Sequence, residues 1–292
     1  MFPKAVDYHK PNRPLVPNGL GVIYVLASVV FLFLLHFSHT FSDNSPLTLA
    51  VCILFGGFMG LMDDWMDLRW RYKAFLPIIA SLPLAVLRQG TPIMSTYFWG
   101  KIDFRVINFF GIPGEYLFYF GVIPLIVTIT TNTVNQLGGL NGLETLCPSI
   151  VLFGLFLASP EFQVMLYVPL LAYVILSYFN VRGKLFVGNT GSFAIGITLA
   201  SFAIIANREQ TLIISILPYV LNSSLILLSF FFSGSKANVS FDGEKLSSDH
   251  RRSLVTLITY KRRMSERQVV AIIALLIALS TCAALLVEWF TL

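Results

Sequence analysis

Charge is the scarcest property of this 292-residue chain, of which only 12% is Asp, Glu, Lys or Arg. An ordinary globular domain carries about 25% charged residues, because these side chains supply most of a wetted surface. Hydrophobic residues make up 56% of the chain. The shortage of charge therefore excludes a soluble domain, a disordered chain and a fibre, and it indicates a protein with several membrane spans.

Paired cysteines and nucleotide-binding glycine motifs are also missing. Cys52, Cys147 and Cys282 lie apart and form no CxxC pair, which favours buried thiols over metal or redox chemistry. Neither GxGxxG nor a Walker A pattern occurs, so a soluble nucleotide-binding fold is not supported. Residues 1–19 are polar and lack the apolar centre of a cleavable signal peptide.

Long apolar segments dominate what is present. None of them alternates with a period of two, and bare backbone cannot face lipid, so the segments predict membrane-spanning helices. We expect an all-α bundle of about nine spans, forming one integral-membrane domain over residues 1–292 that includes a polar loop at 233–268. The segments are Leu20–Leu35, Leu47–Leu61, Phe75–Leu87, Tyr116–Thr131, Thr145–Leu157, Phe162–Phe179, Leu185–Ala206, Leu212–Phe232 and Val269–Leu286.

Basic residues are distributed unevenly over the connections between these segments. When the connections are numbered alternately from the N-terminus, one set holds 16 of the 20 Lys and Arg residues. The positive-inside rule makes this set, which includes residues 1–19, 62–74 and 233–268, cytoplasmic. The net charge of +5 is then a topology signal and needs no nucleic-acid partner.

The first polar cluster stands at the cytoplasmic end of the second segment. Asp63, Asp64 and Asp67 converge if the helix continues through them. Three like charges so close together require a divalent metal ion or a cationic partner. Pairing with nearby cations in an ordinary interfacial loop explains the cluster equally well at this point. Those cations are Arg69, Arg71 and Lys73.

Three further polar clusters fall on the same side. Residues 131–144 carry amides and glycines, which suit a neutral polar ligand, Mg²⁺ or a capped helix–helix turn. Residues 182–192 contain N-cap residue types that attract phosphate or simply cap a helix. The basic clusters in 233–268 favour phosphate, anionic lipid or a topology role. Together the clusters indicate a Mg²⁺-bound phosphorylated ligand at the lipid interface.

These motifs, taken in order, resemble the eukaryotic and archaeal UDP-N-acetylglucosamine–dolichyl-phosphate N-acetylglucosamine-1-phosphate transferases. The bacterial phospho-N-acetylmuramoyl-pentapeptide transferases are similar, but Leu68–Arg71 and Asn141–Glu144 are closer to the dolichyl branch. The matching stretches are Asp7-x-x-Lys10, Asp63-Asp64-x-x-Asp67-Leu-Arg-Trp-Arg-x-Lys73, Asn132-x-x-Asn135, Gly139-Leu-Asn-Gly-Leu-Glu144 and Phe186-Val-Gly-Asn-Thr190.

The resemblance implies an enzyme that transfers GlcNAc-1-phosphate from UDP-GlcNAc to dolichyl or polyprenyl phosphate and releases UMP. This reaction is the first step of lipid-linked oligosaccharide synthesis. The implied cofactor is Mg²⁺, with Mn²⁺ as the alternative ion. The implied partners are the UDP-sugar, the lipid phosphate and the bilayer, and a homodimer is left open. The short loops favour an archaeal-like cell membrane over the endoplasmic reticulum.

Particular residues receive roles by the same resemblance. Asn135 and Asn189 are the expected metal ligands. Gly139 and Asn141 are expected to lie against the uridine. The expected catalytic residues are Asp63, Asp64, Asp67 and Lys73. The expected substrate-binding residues are Asn132, Gly139, Asn141, Glu144, Lys236, His250 and Arg251.

Three departures from the family pattern keep alternatives open. The family usually has Asp where this chain has Asn189, which predicts weaker metal binding. Its usual Arg-His-Arg after the eighth segment is replaced by Lys236 and a later His250-Arg-Arg252. A first helix before Asp7 is missing, which predicts a cytoplasmic N-terminus. The alternatives are another UDP-HexNAc such as a MurNAc-pentapeptide donor, a weak or inactive member, and a transporter.

Overall fold

A computed structural model describes residues 2–96, 100–109, 111–234 and 237–291. The protein is mostly helical (65%), as the apolar segments predict. A π-helical turn at Phe118–Val122 joins α4 to α5. The helices are α1 (Gly21–Phe37), α2 (Ser45–Met66), α3 (Trp70–Val86), α4 (Gly114–Leu117), α5 (Ile123–Gln136), α6 (Leu146–Ala158), α7 (Gln163–Val181), α8 (Gly188–Ile205), α9 (Glu209–Ser215), α10 (Leu217–Ser233), α11 (Leu254–Ile258) and α12 (Glu266–Thr291).

Short antiparallel hairpins lie in the connections, and the sequence does not predict them. Their strands are two to four residues long, which is too short to leave an alternating pattern. The pairs are β1 (Lys4–Val6) with β2 (Leu15–Pro17), β3 (Ile93–Thr96) with β4 (Gly100–Asp103), β5 (Asn108–Phe109) with β6 (Ile112–Pro113), and β7 (Ser240–Phe241) with β8 (Leu246–Ser247).

Within the described residues, five helical stretches are long and apolar enough to cross a membrane, and this pattern indicates a multi-pass membrane protein. They are α2, Gly114–Gln136, α7, α8 and Glu266–Phe290. The pair formed by α9 and α10 gives a sixth if it counts as one span. The apolar helices α1 and α6 are shorter, so the number nine stays a prediction.

Several predicted segments differ in bounds or continuity from the helices that form. The sequence predicts Leu212–Phe232 as one continuous segment, but α9 and α10 meet at an angle of 56°. Pro218 stands in the first turn of α10, where its missing N–H is tolerated. The third segment begins earlier than predicted, at Trp70, and so includes polar residues.

Helix α8 is the buried centre of the bundle, with 89% of its span inside the protein. It packs against α1, α2 and α5. Small residues make this possible: a Cβ on Gly196 would lie 2.8 Å from Cα of Thr131 in α5. Gly56 and Gly60 of α2 face α8 in the same way, as their spacing indicates. The N-terminus of α8 is thereby held against the C-terminal end of α2.

Candidate active site

Three of the four predicted polar clusters meet around one cavity at an end of the bundle. There the β1–β2 hairpin, the end of α2, residues 137–145 and the start of α8 surround a cavity of about 300 Å³. Five residues singled out from the sequence line it. They are Asp64, Gly139, Asn141, Glu144 and Asn189. Residues far apart in the chain therefore form one polar site.

Asp64 caps the N-terminus of α8 from the neighbouring helix. Its Oδ1 accepts the N–H of Asn189 at 2.8 Å, and its Oδ2 accepts the N–H of Thr190 at 2.9 Å. The hydroxyl of Thr190 donates to the same Oδ2 at 2.7 Å. The first N–H groups of a helix have no partner within the helix, and a negative charge there is favourable. The carboxylate thus fixes where α8 begins.

Asp63 points away from Asp64 and pairs with Lys73 of α3. The Nζ atom of Lys73 lies 2.8 Å from Oδ1 of Asp63, whose side chain is 1% exposed. The N–H of Leu68 donates to the same Oδ1 at 3.0 Å, whereas Oδ2 is buried without a partner among the described residues. A buried carboxylate held by one lysine keeps an oxygen that can accept a further cation or proton donor.

The three aspartates Asp63, Asp64 and Asp67 do not converge. Helix α2 ends at Met66, and Asp67 adopts a left-handed backbone conformation with φ of 48°. Its side chain is fully exposed and lies 4.0 Å from Lys73. The expectation depended on the helix continuing, so it is corrected: Asp63 and Asp67 flank Lys73, and Asp64 faces α8.

Replacing Gly60 by Ala tests how closely α2 must approach α8. The added Cβ would lie 2.2 Å from the carbonyl oxygen of Asn189 and 2.4 Å from Cα of Thr190. Backbone cannot yield as a flexible side chain does, so we expect a loss of about 2 kcal/mol in stability. Thermal unfolding in detergent measures this, and Gly121→Ala is the comparison, because the added Cβ there would lie 3.2 Å from the flexible end of the Leu117 side chain. Equal unfolding temperatures for wild type and Gly60→Ala would contradict the close packing.

The two predicted metal ligands lie beside Ser192 in the first turns of α8. Its hydroxyl donates to Oδ1 of Asn135 at 2.6 Å and lies 3.3 Å from the carbonyl oxygen of Asn189. The part of the chain that the structure describes holds no group of three or more His, Cys, Asp or Glu residues that could bind a metal by itself. A metal ion here therefore needs amide or phosphate oxygens in addition.

Glu144 closes the glycine-rich loop at the cavity wall. Its Oε1 accepts the N–H of Gly139 at 3.1 Å. Burial raises the pKa of this carboxyl above its ordinary value, the hydrogen bond from Gly139 opposes that rise, and the negative charge of Asp64 adds to it. The cavity wall therefore favours a cation between Glu144 and Asp64.

The remaining predicted residues are more distant from this cavity. Asn132 joins α5 to α3, because its amide donates to the carbonyl oxygens of Ala74 at 3.3 Å and Thr128 at 3.0 Å. Arg251 stacks over the ring of Tyr260, with its Cζ atom 4.1 Å from the centroid. His250 is half-buried and does not line this cavity. Lys236 lies outside the described residues.

Sequence reasoning did not assign a role to four residues that hold the site together. Asn180 of α7 is 1% exposed and accepts the N–H of Gly142 at 2.8 Å and the hydroxyl of Thr145 at 2.9 Å. Lys10 pairs with Glu266. The side-chain amide of Asn141 donates to both Asp7 and Glu266. Asp7 and Lys10 belong to a motif that matches the family pattern, and this match could have identified them.

The sequence matches glycosyl transferase family 4 over residues 46–207. A Saccharolobus solfataricus protein named "Putative UDP-N-acetylglucosamine--dolichyl-phosphate N-acetylglucosaminephosphotransferase" is 31% identical over 91% of this chain and 82% of its own. The Dictyostelium discoideum protein named UDP-N-acetylglucosamine--dolichyl-phosphate N-acetylglucosaminephosphotransferase is 28% identical over 75% of this chain and 63% of its own. A phospho-N-acetylmuramoyl-pentapeptide-transferase of Streptococcus uberis is 29% identical over 73% of this chain and 66% of its own.

Proposed function

The chain belongs to glycosyl transferase family 4, and from this we propose that it transfers GlcNAc-1-phosphate from UDP-GlcNAc to dolichyl or polyprenyl phosphate. UMP is the second product. The reaction is the first step of lipid-linked oligosaccharide synthesis. The observation that carries the proposal is the juxtaposition of the Asp63–Lys73 pair with an α8 N-terminus capped by Asp64.

The proposed chemistry is a phosphoryl transfer at the membrane surface. An oxygen of the lipid phosphate attacks the β-phosphorus of UDP-GlcNAc, and the bond from that phosphorus to the oxygen bridging to the α-phosphate breaks. Such reactions need positioning and neutralisation of negative charge more than covalent help from the protein. Lys73 supplies a cation, and Asp63 orients it toward the acceptor or the pyrophosphate. We assign contact with the uridine to Gly139 and Asn141, which line the cavity.

We propose that Mg²⁺ serves this reaction, with Mn²⁺ as its alternative. Asp64, Glu144 and Asn189 line one cavity, and Asn135 lies next to it, so hard oxygen donors are the ones available. Mg²⁺ is bound in this manner, by one or two carboxylates together with waters and substrate phosphates. The donors therefore fit the ion. When bound, it neutralises charge on the pyrophosphate.

Asn189→Asp tests the metal site. The backbone N–H of Asn189 donates to Asp64, and this residue lines the cavity. A second carboxylate beside Asp64 repels it without metal and attracts Mg²⁺ when the ion is present. We expect the Mg²⁺ concentration for half-maximal UMP release to fall about tenfold. EDTA should lower the unfolding temperature of the variant more than that of wild type.

The control for this substitution is Asn108→Asp, which adds the same charge at an exposed position in β5. It should leave the Mg²⁺ dependence unchanged. The same Mg²⁺ dependence in wild type and Asn189→Asp would remove position 189 from the metal site.

We also propose how the chain is oriented in the membrane. We place the cavity on the cytoplasmic face and count nine spans, because the connections at the cavity end carry 16 of the 20 basic residues. The short connections support an archaeal-like cell membrane. Reaction of single introduced cysteines with an impermeant reagent in sealed vesicles tests the sidedness.

UMP release tests the proposed function directly. Purified protein in lipid nanodiscs is given UDP-GlcNAc, polyprenyl phosphate and Mg²⁺, and mass spectrometry follows the GlcNAc-pyrophosphoryl lipid. UDP-MurNAc-pentapeptide is the second donor to test, because a relative named for that reaction is 29% identical. Binding of UDP-GlcNAc without release of UMP would contradict the enzyme and favour an inactive member of the family.

A further inference from the structure

Two carboxylates hold the side-chain amide of Asn141 in one orientation. Its Nδ2 donates to Oδ2 of Asp7 at 2.8 Å and to Oε1 of Glu266 at 3.0 Å. The backbone N–H of Asn141 donates to the same Oε1 at 2.8 Å. Turning the amide over would put its carbonyl oxygen against both carboxylates. Charge repulsion therefore fixes which end of the amide faces them.

The arrangement is buried, and one of its two carboxylates is paired with a lysine. Asp7 is 2% exposed, and Asn141 and Glu266 are each 6% exposed. Lys10 forms a hydrogen-bonded ion pair with Oε2 of Glu266. Gly183 closes the cluster, since a Cβ there would lie 3.6 Å from Oδ2 of Asp7. A buried ionic group is retained at a cost in desolvation, which points to a role other than stability.

The other end of the same amide has no partner. The Oδ1 atom of Asn141 is buried and accepts no hydrogen bond from the described residues. Asn141 lines the cavity of about 300 Å³ beside Asp64 and Asn189. A buried carbonyl oxygen left unpaired is costly, so this atom is suited to accept an N–H from a ligand.

We propose that Asp7 and Glu266 are positioning residues that make Asn141 an obligate hydrogen-bond acceptor, and that they thereby select the base of the nucleotide. Uracil presents an N–H at its ring position 3, whereas cytosine presents a bare acceptor nitrogen there. The fixed carbonyl of Asn141 pairs with the first and repels the second. This inference rests on the proposed function, because that function brings a UDP-sugar into the cavity.

Amide variants of the two carboxylates test the inference. In Glu266→Gln, Lys10 attracts the side-chain oxygen, so the new NH₂ turns toward Asn141. It then accepts neither the backbone N–H nor the side-chain N–H of Asn141 and no longer enforces the orientation of the amide. Asp7→Asn relaxes the other contact, and the double variant allows the whole network to reverse. We expect the ratio of UMP to CMP affinity to fall about tenfold in each single variant and further in the double variant.

Calorimetric titration of the protein in nanodiscs with UMP and with CMP gives this ratio. Glu115→Gln makes the same chemical change at the opposite end of the bundle and should keep the ratio of wild type. In the transferase assay, the KM for UDP-GlcNAc should rise while kcat stays within about threefold, because the base lies away from the reacting phosphorus.

The outcomes separate the inference from the function on which it rests. Equal weakening of UMP and CMP binding in the variants would mean that the carboxylates merely support the fold, and it would overturn the inference. If the double variant does not fold, the ratios of the single variants decide. Failure of wild type to bind either nucleotide would contradict the proposed function, and the inference would fall with it.

Discussion

Asp64→Asn should lower the rate of UMP release by at least about 100-fold. The carboxylate accepts two backbone N–H groups and one hydroxyl from the first residues of α8, through both of its oxygens. Asparagine has a single oxygen, so its NH₂ must face either the N–H of Asn189 or that of Thr190. The helix start loses a cap and its negative charge, and Asn189 moves away from the cavity.

A measurement of the free energy of unfolding distinguishes this loss of activity from a loss of the folded structure. The missing cap should lower the free energy of unfolding by about 1–2 kcal/mol, which leaves a folded protein. Asp67→Asn is the matched substitution three residues on, at an exposed position, and its rate should fall by less than about fivefold. Similar rates for Asp64→Asn and wild type would contradict the role given to the α8 N-terminus.

The helical architecture could be predicted because lipid leaves few alternatives. Apolar runs without a period of two must form helices, and every long run did. Pro218 alone does not predict the bend between α9 and α10, because Pro77 and Pro83 lie inside α3 and Pro169 lies inside α7 without ending the helix. The hairpins leave no signal because their pairing is decided by strands and loops of a few residues.

The candidate site could be predicted as separate clusters rather than as a geometry. Asp64 and Asn189 both stand out in the sequence, yet the hydrogen bond that joins them spans 125 residues. No local pattern records such a contact. Glu266 carries even less signal, since an acidic residue in the first turn of a helix such as α12 is ordinary. Its contacts with Lys10 and Asn141 arise only when three distant segments meet.

Lys73→Met is expected to lower both the free energy of unfolding and the rate of UMP release, for different reasons. The side chain of Asp63 is 1% exposed, so loss of the ammonium leaves a buried carboxylate without its cation. Because Lys73 itself is 27% exposed, water reaches the pair, and we expect a loss of about 2 kcal/mol rather than the full cost of a buried charge. UMP release should fall at least about 100-fold.

The double variant Asp63→Asn/Lys73→Met separates these two effects. Asparagine carries no charge, so the buried position no longer needs a cation, and most of the lost stability should return. The transferase rate should stay at least about 100-fold below wild type, because the cation for the phosphates is still missing. Thermal unfolding and UMP release on the same preparations measure both quantities. Recovery of both would make the pair structural, and recovery of stability alone supports its place in phosphoryl transfer.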